Sequence, residues 1–505
     1  MTTKPLTRVI RFLAETGSAM AFPLSIVFSS VVNIVFFYLG LASAENPIRI
    51  YGFILINLLF AVFCGLVFIS VCVVKKPSIS VLTLPALSVL VYFFFFAISY
   101  HKFGLSSVFI DYVPKFISFC VPALLAGVCG AIMGKESSFF SVLEKTSIIV
   151  LPSALIYVFG ELFGLIPWEW NYGTSLGVIS YMSLAYTFFP FLLVHLFCFM
   201  SDHEWNTLVK KKPLPFRQAF RCTAVAIYWF AIIATGTRGA YVCVVFVCAI
   251  LLFKSYKNDK RKYSRKLLPI AITLLLVFNV FVYAPPGFTR VHRVDSFIEG
   301  ATEGKIVTSN AQNQPSEQAI ANMVNEPVSP APVHDAGGKE SGNTTGNGVP
   351  SNSDNYTEAP NQPGVSQENA DEKIEQYSLR NRGTLYSLAW KEFRKHPATG
   401  MGALGFTIKY KGNYPHNAVL ELLCETGLIG TSIVLLIILV VFIRLLISCR
   451  NNSLIGSILI IILAYAMVAN ISGTIWDNKV LMWAIGYGGS LKLGIDNLKR
   501  KLADI

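Results

Sequence analysis

The stretch NYPHNAVLELLCETGLIG, residues 413–430, runs straight into an apolar segment at 427–448 that is long enough to cross a membrane. Polar and titratable groups at the mouth of a transmembrane helix are costly to keep without a use, so an outward-facing position makes this a candidate active site. Pro415 suits the first turn of a helix, where its missing N–H leaves no bond unmade. A helix starting there puts His416 and Asn417 in that turn, beside free backbone N–H groups and the positive end of the dipole. Such a place attracts phosphate and disfavours imidazolium, which predicts a neutral His416 fit to act as a general base. Asn417, Glu421 and Glu425 follow at i, i+4 and i+8 as one polar stripe that His416 borders. The competing reading of His416 is an amphipathic anchor at the membrane interface.

Composition extends the membrane reading to the whole chain. Of 505 residues 53% are hydrophobic and 14% charged, more apolar matter than a soluble core of this length buries. Apolar runs lie near 20–43, 51–74, 80–100, 113–133, 146–166, 174–200, 219–236, 239–254, 266–284, 427–448, 453–475 and 479–494. The predicted fold is an all-α polytopic membrane protein of about twelve transmembrane helices. Spans one to nine occupy 1–284, a large periplasmic loop with interfacial helices occupies 285–415, and spans ten to twelve occupy 416–505. The last run is short and holds Gly486, Gly488 and Gly489, which leaves a re-entrant or interfacial helix as its alternative.

Lys and Arg set the orientation. With the N-terminus inside, seven inside segments hold the basic clusters, among them Lys75-Lys76, Lys210-Lys211-Lys212 and Lys499-Arg500-Lys501, while the short outside loops hold few. Both termini are expected in the cytoplasm. The net charge of +13 follows from this bias; basic strips beside anionic headgroups explain it without a nucleic-acid partner. The first apolar run is too long for a cleavable signal and is expected to stay as a span. Ten cysteines sit in or beside apolar runs, none in the large loop, and they read as small packing residues without metal-ligand spacing.

Charge divides the large loop. From Glu299 to Glu375 twelve acidic residues face three lysines, so 299–376 is expected to be an acidic, disordered insertion. From 379 to 414 Arg380, Arg382, Lys391, Arg394, Lys395, Lys409 and Lys411 stand against Glu392, and this half is expected to fold and to seek anions. Leu385, Leu388, Ala389 and Phe393 recur at helical spacing, predicting an amphipathic helix over Gly383 to Lys395 that lies on the membrane and ends at His396-Pro397. Gly400, Gly402 and Gly405 then read as a flexible connection. A further polar point is Thr235-Gly236-Thr237-Arg238-Gly239, a tight outside link between the seventh and eighth spans. Arg238 there either pairs with Glu161 or Glu169 or grips an anionic ligand, for which its planar fork is suited.

Thr235-Gly236-Thr237-Arg238-Gly239-Ala240, then Arg382 with Tyr386, Trp390, Pro397, Gly400-Met401-Gly402 and Phe406, then Tyr414-Pro415-His416-Asn417 with Glu421, Glu425, Gly427 and Gly430, resembles the O-antigen ligase and Wzy-type polymerase superfamily. The specific motifs cover 235–240 and 382–430; the rest agrees in hydropathy, and the acidic insertion and weak last span depart from the usual pattern. The resemblance implies an inverting, metal-independent and cofactor-free transferase of the bacterial inner membrane with a periplasmic active site. It would move a glycan from undecaprenyl pyrophosphate to an acceptor hydroxyl. Carried over, Arg238 and Arg382 would hold the pyrophosphate as it leaves and His416 would activate the acceptor. Arg380, Tyr414, Asn417 and Glu421 are the candidate substrate-binding residues, Arg380 being an alternative to Arg382. The expected partners are the undecaprenyl-linked donor, lipid A-core or a second lipid-linked glycan as acceptor, and membrane lipids. Ligation of O-antigen to lipid A-core leads, with polymerisation and protein O-glycosylation as rivals. A multispan transporter is the reading from another class, disfavoured by the lack of a hydropathy repeat and of a charged or broken helix pair near mid-membrane.

Overall fold

A computed structural model describes residues 3–39, 47–162, 181–200, 215–235, 238–258, 271, 382–410, 413–450, 452–472, 474–476 and 478–491. The acidic stretch 299–376, Arg380, Glu169 and, but for residue 271, the ninth apolar run lie outside them.

Every regular element among the described residues is helical. In chain order they are α1 (Thr3–Phe12), α2 (Ser18–Tyr38), α3 (Pro47–Lys75), α4 (Ile79–Phe103), α5 (Ser107–Lys115), α6 (Val121–Met133), α7 (Glu136–Leu162), α8 (Tyr181–Met200), α9 (Pro215–Ala234), α10 (Arg238–Asn258), α11 (Arg382–Lys395), α12 (Gly405–Lys409), α13 (Ala418–Cys449), α14 (Ser453–Ser472) and α15 (Lys479–Ser490). Single π-helical turns join α1 to α2 and α5 to α6. Among the described residues six helices are long and apolar enough to cross a membrane: Pro5–Phe36, Tyr51–Lys75, Ile79–Phe103, Tyr112–Met133, Glu136–Phe159 and Ala418–Cys449. Four shorter apolar helices, Ala185–Phe199, Gln218–Ala234, Val242–Leu251 and Ser453–Val468, fall on other expected runs. Leu55, Leu59, Val62 and Ile69 on α3 and Leu436 and Leu439 on α13 remain exposed, apolar surface that suits lipid rather than water.

α15 is only 12 residues, about 18 Å at 1.5 Å per residue, too short to span unaided. It is held in the protein instead. From Met482 to Ser490 every residue is buried, and its glycines let it lie against α6 backbone to backbone. A Cβ on Gly127 would come within 2.8 Å of Tyr487 N, and one on Gly486 within 2.9 Å of Leu124 C. Phe22, Phe139, Trp483 and Tyr487 stack around this crossing. The glycines that made the segment look weak are what permit the contact.

α13 is not one helix. Gly427 (φ 62°, ψ −169°) breaks it, in a region of backbone space open essentially to glycine alone.

Candidate active site

A break leaves carbonyls unsatisfied on one side and N–H groups on the other. The segment following α11 supplies both sets of partners. Met401 N donates to Cys424 O (2.9 Å) and Gly402 N to Glu425 O (2.7 Å), while Leu428 N donates to Pro397 O (2.8 Å) and Ile429 N to Ala398 O (3.2 Å). Gly400 (φ 64°) and Gly402 (φ 97°) make the turn, and a Cβ on Gly402 would lie 2.8 Å from Ser99 Cα. Lys102 Nζ donates to Gly400 O (2.8 Å) and Ala403 N to Phe95 O (3.2 Å), so the segment is wedged between α4 and α13. Phe95 is eight residues inside the end of α4, which places this non-helical backbone roughly 12 Å below it. Residues 400–407 are buried throughout, the condition for irregular backbone at membrane depth. The expected flexible glycine link is therefore a fixed insert, because its N–H and C=O groups complete another element's ladder.

Both glutamates of the expected polar stripe point into this packing, fully buried. Glu425 accepts from Leu404 N (2.9 Å), Phe406 N (3.1 Å) and Trp476 Nε1. Glu421 accepts from Thr474 Oγ1 and from Ile475 N (3.0 Å), and Thr474 Oγ1 in turn accepts from Trp476 N. Within the polar stripe the two glutamates are thus a pair of buried acceptors that tie 404–406 and 474–476 to the start of α13.

α11 occupies 382–395 and stops before His396-Pro397, as its periodicity and breaker predict. Its apolar stripe does not rest on lipid. Leu385 and Ala389 are buried in one cluster with Phe406 and Cys424, with Leu388, Phe393 and Leu420 against it, because the insert brings α12 and α13 under this face. Since Leu385 and Ala389 share a cluster with Leu420 and Cys424 while Pro397 and Ala398 reach Leu428 and Ile429, α11 and α13 run in the same sense. The Arg382 end of α11 consequently lies toward the His416 end of α13, and Arg382 is exposed there.

The lone acid of the basic half, Glu392, is buried on α11 and takes hydrogen bonds from Lys409 (2.9 Å), Lys395 (3.2 Å) and Tyr410 Oη (3.1 Å). Burial pushes its carboxyl up, but the two lysines outweigh that and hold it below the ordinary glutamate value. Burial first, then the Glu392 charge, pushes the Tyr410 phenol up.

Ahead of α13, Asn417 is the N-cap: its Oδ1 accepts from Val419 N (3.1 Å) and Leu420 N (3.0 Å). His416 and Pro415 are therefore outside the helix rather than in its first turn, because an asparagine side chain satisfies the first N–H groups better than proline fills them. His416 takes a left-handed conformation (φ 53°), an uncommon one for a non-glycine residue and of the kind that collects at functional sites. Its ring lies 4.1 Å from that of Tyr414, and both are half-buried.

Thr235 closes α9, and Arg238 is the first residue of α10; the Arg238 side chain lies outside the described residues, as does that of Glu161. α7 holds α9 at two points along its second half. Tyr157 Oη donates to Ala234 O (3.4 Å), and Tyr228 Oη to Ser147 O (2.6 Å). Near the latter, buried Arg221 pairs with Glu144 (2.8 Å) and His195 Nε2 meets Ser147 Oγ (2.7 Å). This charged cluster inside the apolar runs escaped the sequence reading, although an Arg and a His within such runs call for partners. Among the described residues no three His, Cys, Asp or Glu side chains gather as a metal site.

Residues 223–435, which contain every one of these motif blocks, match the O-antigen ligase family model. This part of the chain is similar to the O-antigen ligase family. The match supports the O-antigen ligase and Wzy-type superfamily and, with the apolar helices, a multi-pass membrane protein engaged in ligase-like glycan transfer. No curated protein and no solved structure matches the chain. Within the matched residues fall Arg238, the inserted segment, the break in α13 and the capped His416-Asn417 turn.

Proposed function

We propose that the chain transfers a glycan from undecaprenyl pyrophosphate to an acceptor hydroxyl at the periplasmic face, as an O-antigen ligase acting on lipid A-core. The observation that carries this reading is the docking of α11 along α13 within the residues that match the O-antigen ligase family, which sets Arg382 toward the His416 end. The acceptor oxygen attacks the anomeric carbon, its proton passes to the His416 imidazole, and the bond to the pyrophosphate breaks. Arg238 and Arg382 carry the negative charge of the departing undecaprenyl pyrophosphate. Two further features support a lipid-linked substrate. An apolar cavity of about 200 Å³ opens beside the helix start, lined by Ala418, Val419, Leu422, Leu481 and neighbours. The elements that converge on the insert, the end of α4, the start of α13 and the 474–476 turn, are those that the Lys/Arg bias assigns to the outside.

A deletion strain tests the assignment. Lipid A-core bare of polymer, with long undecaprenyl-linked chains accumulating, is the expected outcome. A single repeat attached to core would instead mean a polymerase, and unchanged lipopolysaccharide with an underglycosylated periplasmic protein would mean a protein O-glycosyltransferase.

A further inference from the structure

Glu425 is a buried carboxylate inside a membrane helix, two residues before the break at Gly427, and it draws donors from two distant segments. Leu404 N and Phe406 N belong to the start of α12, whose Phe406 forms the floor on which Leu385 and Ala389 of α11 rest. Trp476 Nε1 belongs to the turn that Glu421 also grips. The main chain of Glu425 takes part as well, since its carbonyl accepts from Gly402 N. One residue thus fastens the insert through its backbone and the platform of α11 through its side chain.

We propose that Glu425 is a positioning residue of the transfer centre: by fastening 402–406 and Trp476 to α13 it docks α11 and so sets Arg382 relative to His416. This rests on the glycan-transfer reading above. The carboxylate acts through the backbone it holds rather than on substrate. Its worth lies in geometry, where a displacement of about 1 Å can cost about a hundredfold in rate. Glutamine keeps a single carbonyl oxygen, able to serve Leu404 and Trp476, but turns an NH₂ group toward Phe406 N; alanine serves none of them.

The test uses purified full-length protein in lipid, comparing Glu425→Ala, Glu425→Gln and Trp476→Phe with the parent. Cys424 reports docking, because its thiol is free and fully buried beneath α11. Maleimide labelling of Cys424, read by peptide mapping, should be negligible in the parent, high in Glu425→Ala and intermediate in the other two. Transfer should fall in the same order, roughly a hundredfold for Glu425→Ala, through kcat more than through donor KM. Lost transfer with Cys424 still protected would overturn the proposal in favour of direct contact with substrate, and a labelled Cys424 with normal transfer would overturn it too. If the parent itself moves no glycan from an undecaprenyl pyrophosphate donor, the transfer reading fails, while the labelling still decides whether Glu425 docks α11.

Discussion

Gly427 and Ala398 meet backbone to backbone: a Cβ on Gly427 would overlap the Ala398 carbonyl and lie 2.6 Å from Thr399 N. The break in α13 and the segment that fills it are therefore parts of one joint. Gly427→Ala faces two penalties, a conformation that costs about 1–3 kcal/mol for other residues and a clash with rigid main chain. We expect a protein that still inserts but has lost transfer, with Leu428 and Ile429 amides exchanging faster. Hydrogen exchange on the 426–431 peptide measures this, and normal protection with full activity would disprove the joint.

Asn417 tests whether a cap also serves the ligand. Its Oδ1 is committed to Val419 N and Leu420 N, which leaves Nδ2 as the group that can reach outward. Asn417→Ala should cost about 1 kcal/mol of stability. Asn417→Asp keeps the cap and favours the dipole but puts a negative charge where pyrophosphate is proposed to sit. The expected result is unchanged thermal stability in detergent with transfer reduced tenfold or more, on the order of the 1.4 kcal/mol that a like charge easily costs. Equal activity of the aspartate variant would confine Asn417 to capping.

Glu392 gives α11 a pH dependence. Its folded-state value is depressed, so its contribution is present above the ordinary glutamate value of about 4.3 and is lost as the pH falls through the lower folded value. Lys395 and Lys409 are about 40% exposed, at 41% and 39%, so salt should weaken the effect. Midpoints of thermal unfolding between pH 7 and 3 should fall more steeply for the parent than for Glu392→Gln. Parallel curves would mean that the lysine clamp adds nothing.

What the sequence disclosed, and what it hid, divides by range. α11 is readable because its apolar period and its His-Pro stop are local. The break at Gly427 is not, since a glycine within an apolar run reads as a tolerated residue, and the partner that fills the gap lies about thirty residues earlier, at Pro397–Gly402. Glu421 and Glu425 read as a polar stripe whose burial stayed hidden for the same reason: their donors, at 404–406 and 474–476, are invisible to a periodicity. A signal was nonetheless present, because two carboxylates on a membrane helix must find donors. The three glycines of α15 were taken for weakness, when small residues in a short apolar segment equally signal backbone contact.

His416 and Arg238 bear the chemistry of the proposed transfer, and their variants separate its two halves. His416→Ala removes the proton acceptor and should abolish transfer at normal abundance of inserted protein. The left-handed conformation at 416 adds a control: His416→Asn or His416→Gly tolerates that backbone better than alanine, so activity missing from all three points to the imidazole and not to strain. Arg238→Lys keeps the charge but replaces a bidentate fork with a point charge, and we expect a severe loss in kcat with a smaller change in donor KM. The measurement is transfer from a synthetic undecaprenyl pyrophosphate glycan in proteoliposomes. Near-normal turnover in Arg238→Lys would remove the arginine from the leaving group, and near-normal turnover in His416→Asn would remove proton transfer from His416.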